Sequence, residues 1–118
     1  MYRNTPVNEL SAKDFSGTKI ISPKFKNKYG LLKVYAPWCG YCQQMEELLI
    51  EIAGKLKPHG FVVGALNADN QVNKPVAQAL GVRGFPTLFL VNKNGEVFNY
   101  DGARTGLAIT DAIDKFIR

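Results

Sequence analysis

Thiols are scarce in this chain: there are two cysteines in 118 residues, Cys39 and Cys42. That count excludes the disulfide framework that staples many small secreted domains. Histidine is scarcer still, with one residue, His59, set in a Pro58-His59-Gly60 turn. Two cysteines and a turn histidine do not make a zinc set, so no metal is expected. A dimer sharing an iron–sulfur cluster through paired cysteine sites is a minor alternative. No run is long and apolar enough to span a membrane, and no repeat, low-complexity tract or linker divides the chain. Acidic residues are in deficit, with 10 Asp+Glu against 15 Lys+Arg and a formal charge of +5. Much of the excess lies between Lys19 and Lys28, where Lys24, Lys26 and Lys28 interleave with Phe25 and Tyr29. A patch for nucleic acid or an acidic partner is one reading. A solvated edge whose aromatic residues point inward is the preferred one, so neither nucleic acid nor membrane is expected as a partner.

The length suits a single domain over 1–118, with residues 1–6 expected as a flexible lead-in. Apolar content of 46% and charged content of 21% fit a soluble globular chain. The first ten residues lack the apolar core of a secretory signal, and Asp114–Arg118 carries no ER-retention signal. Read as full-length, the chain is expected in the cytoplasm. Read as a mature or excised domain, it is expected in the ER lumen.

The apolar pattern predicts a short strand at Val7–Leu10, a helix start at Ser11–Asp14 capped by Ser11, and a central strand at Leu31–Ala36. A long helix runs from Cys39 to Leu56, with Met45, Leu48, Leu49, Ile52 and Leu56 on one face. Phe61–Leu66 reads as a strand covered on both sides. Gln71–Leu80 reads as a helix interrupted by Pro75 and closed by Gly81. Thr87–Val91 and Glu96–Tyr100 form a hairpin through Lys93-Asn94-Gly95. Thr105–Ile117 is the last helix, with Leu107, Ile109, Ile113, Phe116 and Ile117 mostly on one side. This order gives an α/β class with a mixed sheet.

Both cysteines lie where the central strand passes into the long helix, in Trp38-Cys39-Gly40-Tyr41-Cys42. A helix N-terminus favours an anion, and the thiolate is cysteine's reactive form. Cys39, at the helix mouth near solvent, is expected to attack a substrate disulfide. Cys42, one turn in and more covered, is expected to resolve the mixed disulfide.

Tyr35-Ala-Pro-Trp-Cys-Gly-Tyr-Cys42 resembles the active-site stretch of the thioredoxin superfamily, closer to its protein disulfide isomerase branch than to thioredoxin itself. Gly81-Val-Arg-Gly-Phe-Pro-Thr87 and Lys93-Asn-Gly-Glu96 extend the resemblance over nearly the whole chain from about Val7. It implies a thioredoxin fold: a mixed central sheet flanked by helices, with a cis Phe85–Pro86 bond beside the cysteines. It also implies a thiol–disulfide oxidoreductase of isomerase or oxidase type, acting as a monomer on protein thiols and disulfides. The redox-active Cys39–Cys42 disulfide would serve in place of a cofactor, and a reductase or oxidase would recycle it. The rival readings are a cytosolic thioredoxin-type reductant and a non-catalytic binding module. Trp38, Gly40, Tyr41, Phe85 and Pro86 would shape the substrate groove.

The chain departs from the family where Lys33 stands in place of the usual buried acid and Ala65 in place of its lysine partner. Three fates are open to Lys33: a buried cation favouring the Cys42 thiolate, a neutral amine taking its proton, or a side chain snorkelling to solvent. Glu47 replaces a proline that thioredoxins commonly carry, so a less kinked helix is expected there. Arg104 resembles an arginine that swings toward the isomerase site to lower the second cysteine's pKa; a plain surface arginine is the alternative. Arg83 reads as a solvated loop charge.

Overall fold

Alternating apolar runs and amphipathic segments dictate a layered molecule, and the computed structural model, which describes residues 1–118, has that form. The strands are β1 (Asn8–Leu10), β2 (Phe15–Ser16), β3 (Lys19–Ile20), β4 (Gly30–Tyr35), β5 (Val62–Asn67), β6 (Thr87–Val91) and β7 (Val97–Tyr100). The helices are α1 (Gly40–Gln44), α2 (Glu46–Leu56), α3 (Lys74–Ala79) and α4 (Gly106–Ile117). The main sheet has the order β1-β5-β4-β6-β7, with β1, β5 and β4 parallel and β6 and β7 antiparallel. This is the mixed, helix-flanked sheet that the resemblance implied. No helix is long and apolar enough to cross a membrane.

Every residue of β4 is buried, as a central strand covered on both faces should be. Its side chains alternate between two cores. Leu31 and Tyr35 pack with Leu49, Ile52, Ile109 and Ile113 under α2 and α4. Leu32 and Val34 pack with Phe25, Ala77 and Phe89 on the opposite face. Phe25 lies against Gly64, where a Cβ would come within 2.9 Å of its ring. Lys19, Lys24, Lys26 and Lys28 are exposed while Phe25 is buried, so the segment is a solvated edge with its aromatic turned inward.

In the lead-in 1–6, Tyr2 is 1% exposed and packs edge-on against Tyr35. Two expectations are corrected, on the long helix and on Leu107. The long helix is broken at Met45 between α1 and α2 although it holds no proline. Met45 N–H bonds the Cys42 carbonyl three residues back at 3.2 Å, and the Lys33 ammonium or amine takes the same carbonyl at 2.7 Å. A side chain inserted into the helical ladder is a recognised cause of such a break. The hairpin through Lys93-Asn94-Gly95 is present: β6 and β7 are joined by residues 92–96, and of these only Gly95 has positive φ, at 80°. Asn92 organises it, its Oδ1 accepting N–H bonds from Asn94 at 3.0 Å and Glu96 at 2.9 Å. Leu107 is 84% exposed, because at 100° per residue it lies opposite the buried Ile109 and Ile113.

Candidate functional site

The central strand delivers its carboxyl end to a tight turn, and the turn delivers Cys39 to the N-cap of α1. Cys39 N–H bonds the Ala36 carbonyl at 3.1 Å, and Gln43 N–H bonds the Cys39 carbonyl at 3.1 Å. The Cys39 sulfur itself accepts the Cys42 backbone N–H at 3.1 Å, taking one of the donors that a helix start leaves unpaired. Both thiols are free. Cys42 is fully buried, as expected; Cys39 is more covered than expected, at 6% exposed. Beside it Gly40 faces open space, since a Cβ there would meet nothing within 4 Å.

The Cys42 thiol is pushed up to about 11, first by burial and next by its hydrogen bond with Cys39. A backbone bond at Ala36 and the Lys33 charge act the other way. A thiol so held does not ionise at neutral pH unless its proton is taken at the moment of reaction.

The rim is aromatic. Trp38 is 67% exposed and Tyr41 69%. Trp38 meets Phe85 edge-to-face with centroids 5.8 Å apart, and its indole N–H donates to Asp69 Oδ1 at 3.3 Å. The Phe85–Pro86 bond is cis. Arg104 donates to the Pro86 carbonyl at 2.8 Å, so it braces the cis-proline loop. Arg104 is exposed and is not among the groups that shift Cys42 in this conformation. Arg83, Phe85, Pro86 and Arg104 line a shallow cavity of about 370 Å³ beside this loop.

Behind Cys42 lies Lys33, fully buried, which overturns the snorkelling alternative. Its Nζ bonds the Tyr2 hydroxyl and the Cys42 carbonyl, with Met1 Sδ at 3.9 Å. It lies 4.9 Å from the Tyr2 ring centroid and 5.4 Å from that of Tyr35. No carboxylate comes within 4.0 Å of it. Burial holds its pKa below the usual lysine value, against the upward pull of Cys42, Glu46, Cys39 and Glu9. Burial also raises the phenols of Tyr2 and Tyr35. Tyr35 donates to Glu9 Oε1 at 2.7 Å, and Tyr2 N–H to the same oxygen at 3.2 Å. No buried side-chain nitrogen or oxygen is left without a partner.

Sequence reasoning missed Tyr2, Glu9 and Asp69. Tyr35, two positions from Lys33 on one strand, could have been found from the period of the pleat; the others arrive only through tertiary contacts. Glu47 is exposed, and the half-buried Glu46 is the helix carboxylate that acts on Lys33. No cluster of three or more His, Cys, Asp and Glu side chains is arranged to hold a metal ion.

Residues 7–115 match the family model described as Thioredoxin. A protein disulfide-isomerase of Datisca glomerata is 33% identical over 114 residues, covering 97% of this chain and 22% of that protein. The chain thus spans about a quarter of the length of the curated relatives it matches. The solved first thioredoxin domain of mouse protein disulfide-isomerase A4 is 28% identical, with a TM-score of 0.77 over 96% of this chain and 76% of that one. A chain of the ferredoxin:thioredoxin reductase and thioredoxin f2 complex is 25% identical, with a TM-score of 0.77 over 97% of this chain and 98% of that one.

Proposed function

The chain belongs to the thioredoxin family, and from that premise we propose that it exchanges disulfides with protein substrates, as an isomerase- or oxidase-like thiol–disulfide oxidoreductase. The observation that carries this reading is the Cys39 sulfur at the N-cap of α1, bonded by Cys42 N–H and faced by the cis-proline loop. Similarity to protein disulfide-isomerases supports the isomerase side of the reading.

In the reductive direction the Cys39 thiolate attacks a substrate disulfide. A bond forms from Cys39 to one substrate sulfur; the other leaves as a thiolate and takes up a proton. Cys42 then loses its proton and attacks the Cys39 sulfur. The Cys39–Cys42 disulfide closes, the substrate's second thiolate departs, and two electrons have passed to the substrate. Oxidation runs the same steps in reverse. Isomerisation follows when a substrate thiol, rather than Cys42, opens the mixed disulfide. The exposed faces of Trp38 and Tyr41 and the half-buried Phe85 suit an extended peptide laid along the cis-proline loop.

The second reading, a reductant recycled by a reductase, is favoured by the likeness to the thioredoxin f2 complex. Cys39→Ser is expected to abolish reduction of insulin-type disulfides, and retained turnover would overturn the reading. Cys42→Ser is expected to accumulate mixed disulfides on a non-reducing gel; finding none would remove the resolving role. Catalysed refolding of a scrambled disulfide protein separates isomerase from simple reductant.

A further inference from the structure

Lys33 is the one buried basic group, and the exchange steps above leave it without a task. It has no counter-ion: its polar contacts are a phenol, a backbone carbonyl and a thioether. The carboxylates that act on it, Glu9 on β1 and Glu46 on α2, lie beyond ion-pair distance, and both are partly open to water. A lone ammonium in such a place is costly, so burial favours the neutral amine while nothing nearby is negative. The group placed to become negative is Cys42, whose own carbonyl holds Nζ at 2.7 Å. When Cys42 ionises, an ammonium at Lys33 gains a counter-charge. Three acceptors and two tyrosine ring faces already surround the place where that ammonium forms.

We propose that Lys33 is the proton partner of Cys42 in the resolving step and that Tyr2, reaching in from ahead of β1, is the positioning residue that holds the amine there. This rests on the exchange reading given above. As Cys42 attacks the Cys39 sulfur, the Cys42 S–H bond breaks and its proton passes to the Lys33 amine. The Cys39–Cys42 bond forms, the bond from Cys39 to substrate breaks, and the substrate sulfur leaves with the electron pair. Lys33 later releases the proton to solvent; in the reverse direction it returns one to Cys42. The groups facing this exchange are Cys39 and Glu46 from the helical side, Glu9 from β1, Tyr2 from the lead-in and Tyr35 from β4.

The test mixes reduced protein with a bis(thionitrobenzoate) disulfide, which releases one coloured thiolate when Cys39 opens it and a second when Cys42 displaces it. Lys33→Met is expected to slow the second phase about a hundredfold, the low end of what a positioned base contributes. The first phase should stay within about threefold. The wild-type second phase should level off well below pH 11, whereas that of Lys33→Met should still climb at pH 11, because the Lys33 charge that holds Cys42 down is gone. Tyr2→Phe should slow the second phase less than Lys33→Met does. Lys33→Glu, which restores a proton acceptor, should recover most of the rate with its profile moved. If Lys33→Met does not fold, the Tyr2→Phe/Lys33→Met pair, which orphans neither polar group, serves in its place. Equal slowing of both phases, an unchanged pH profile, or a Lys33→Glu variant as slow as Lys33→Met overturns the proposal. A wild type with a first phase and no second overturns the exchange reading itself.

Discussion

Leu32 and Lys33 are neighbours on β4 and both are fully buried, yet they face cores of different kinds. On the Leu32 side, Phe25, Val34, Leu66, Phe89 and Val91 make a layer of hydrocarbon alone. On the Lys33 side the hydrocarbon under α2 and α4 surrounds an amine, two phenols and both thiols. The first core serves stability through packing. The second accepts the expense of burying polar groups and gains a chemically reactive centre. One strand separates them, and the pleat turns consecutive residues to opposite tasks.

The difference is open to direct attack, beginning with the largest effect. Leu32→Ala should cost about 2–5 kcal/mol in chemical denaturation and leave the redox potential of the cysteine pair unchanged; a shifted potential would mean that the two cores are coupled. On the polar side, Lys33→Met orphans the Tyr2 hydroxyl and should cost about 1–3 kcal/mol. Removing both partners in Tyr2→Phe/Lys33→Met should restore stability to within about 1 kcal/mol of wild type, or exceed it. A double variant no better than the single would show that the network stabilises the fold.

The polar core should also titrate where the apolar one does not. Cys42 has a folded value raised from 9.0 to about 11, so its contribution is complete below pH 9 and is lost as pH rises toward 11. Stability of the reduced protein should therefore fall across that window by on the order of 2 kcal/mol. Lys33 works the other way: its folded value is depressed, so its cost eases as pH rises toward the ordinary lysine value of 10.5. Comparing wild type with Lys33→Met across the same pH range separates the two slopes. The smallest effect is expected outside both cores, where disrupting the exposed Glu51–Lys55 pair, 3.1 Å apart, should cost about 0.3–0.5 kcal/mol. A larger loss would give the surface a share in stability that the two-core picture denies it.

The apolar core was legible in the sequence because hydrophobic period reports on burial directly. Leu31–Ala36, Phe61–Leu66 and the faces of α2 and α4 all followed from it, the exposed Leu107 and Ile117 excepted. The cysteine pair was legible from its spacing at a strand–helix junction, and the cis Phe85–Pro86 bond from the family resemblance. The polar core was only half legible. Lys33 stood out because the family resemblance implied a buried acid at its position, but its fate depended on what closed over it. Tyr2 sits in a segment that looks like a loose lead-in, and nothing local says that its ring turns inward to meet Lys33. The break at Met45 was hidden for the same reason: its cause lies on another strand, in the Lys33 contact with Cys42, and not in any helix-breaking residue nearby.

The most direct measurement is the equilibrium reduction potential of the Cys39–Cys42 pair in a glutathione buffer. The account predicts a readily formed intramolecular disulfide with a potential near roughly −180 mV, in the range of protein disulfide isomerase. A value near roughly −270 mV would mark a thioredoxin-like reductant, and a pair that forms no disulfide at all would contradict the assignment of Cys39 and Cys42 as the working centre.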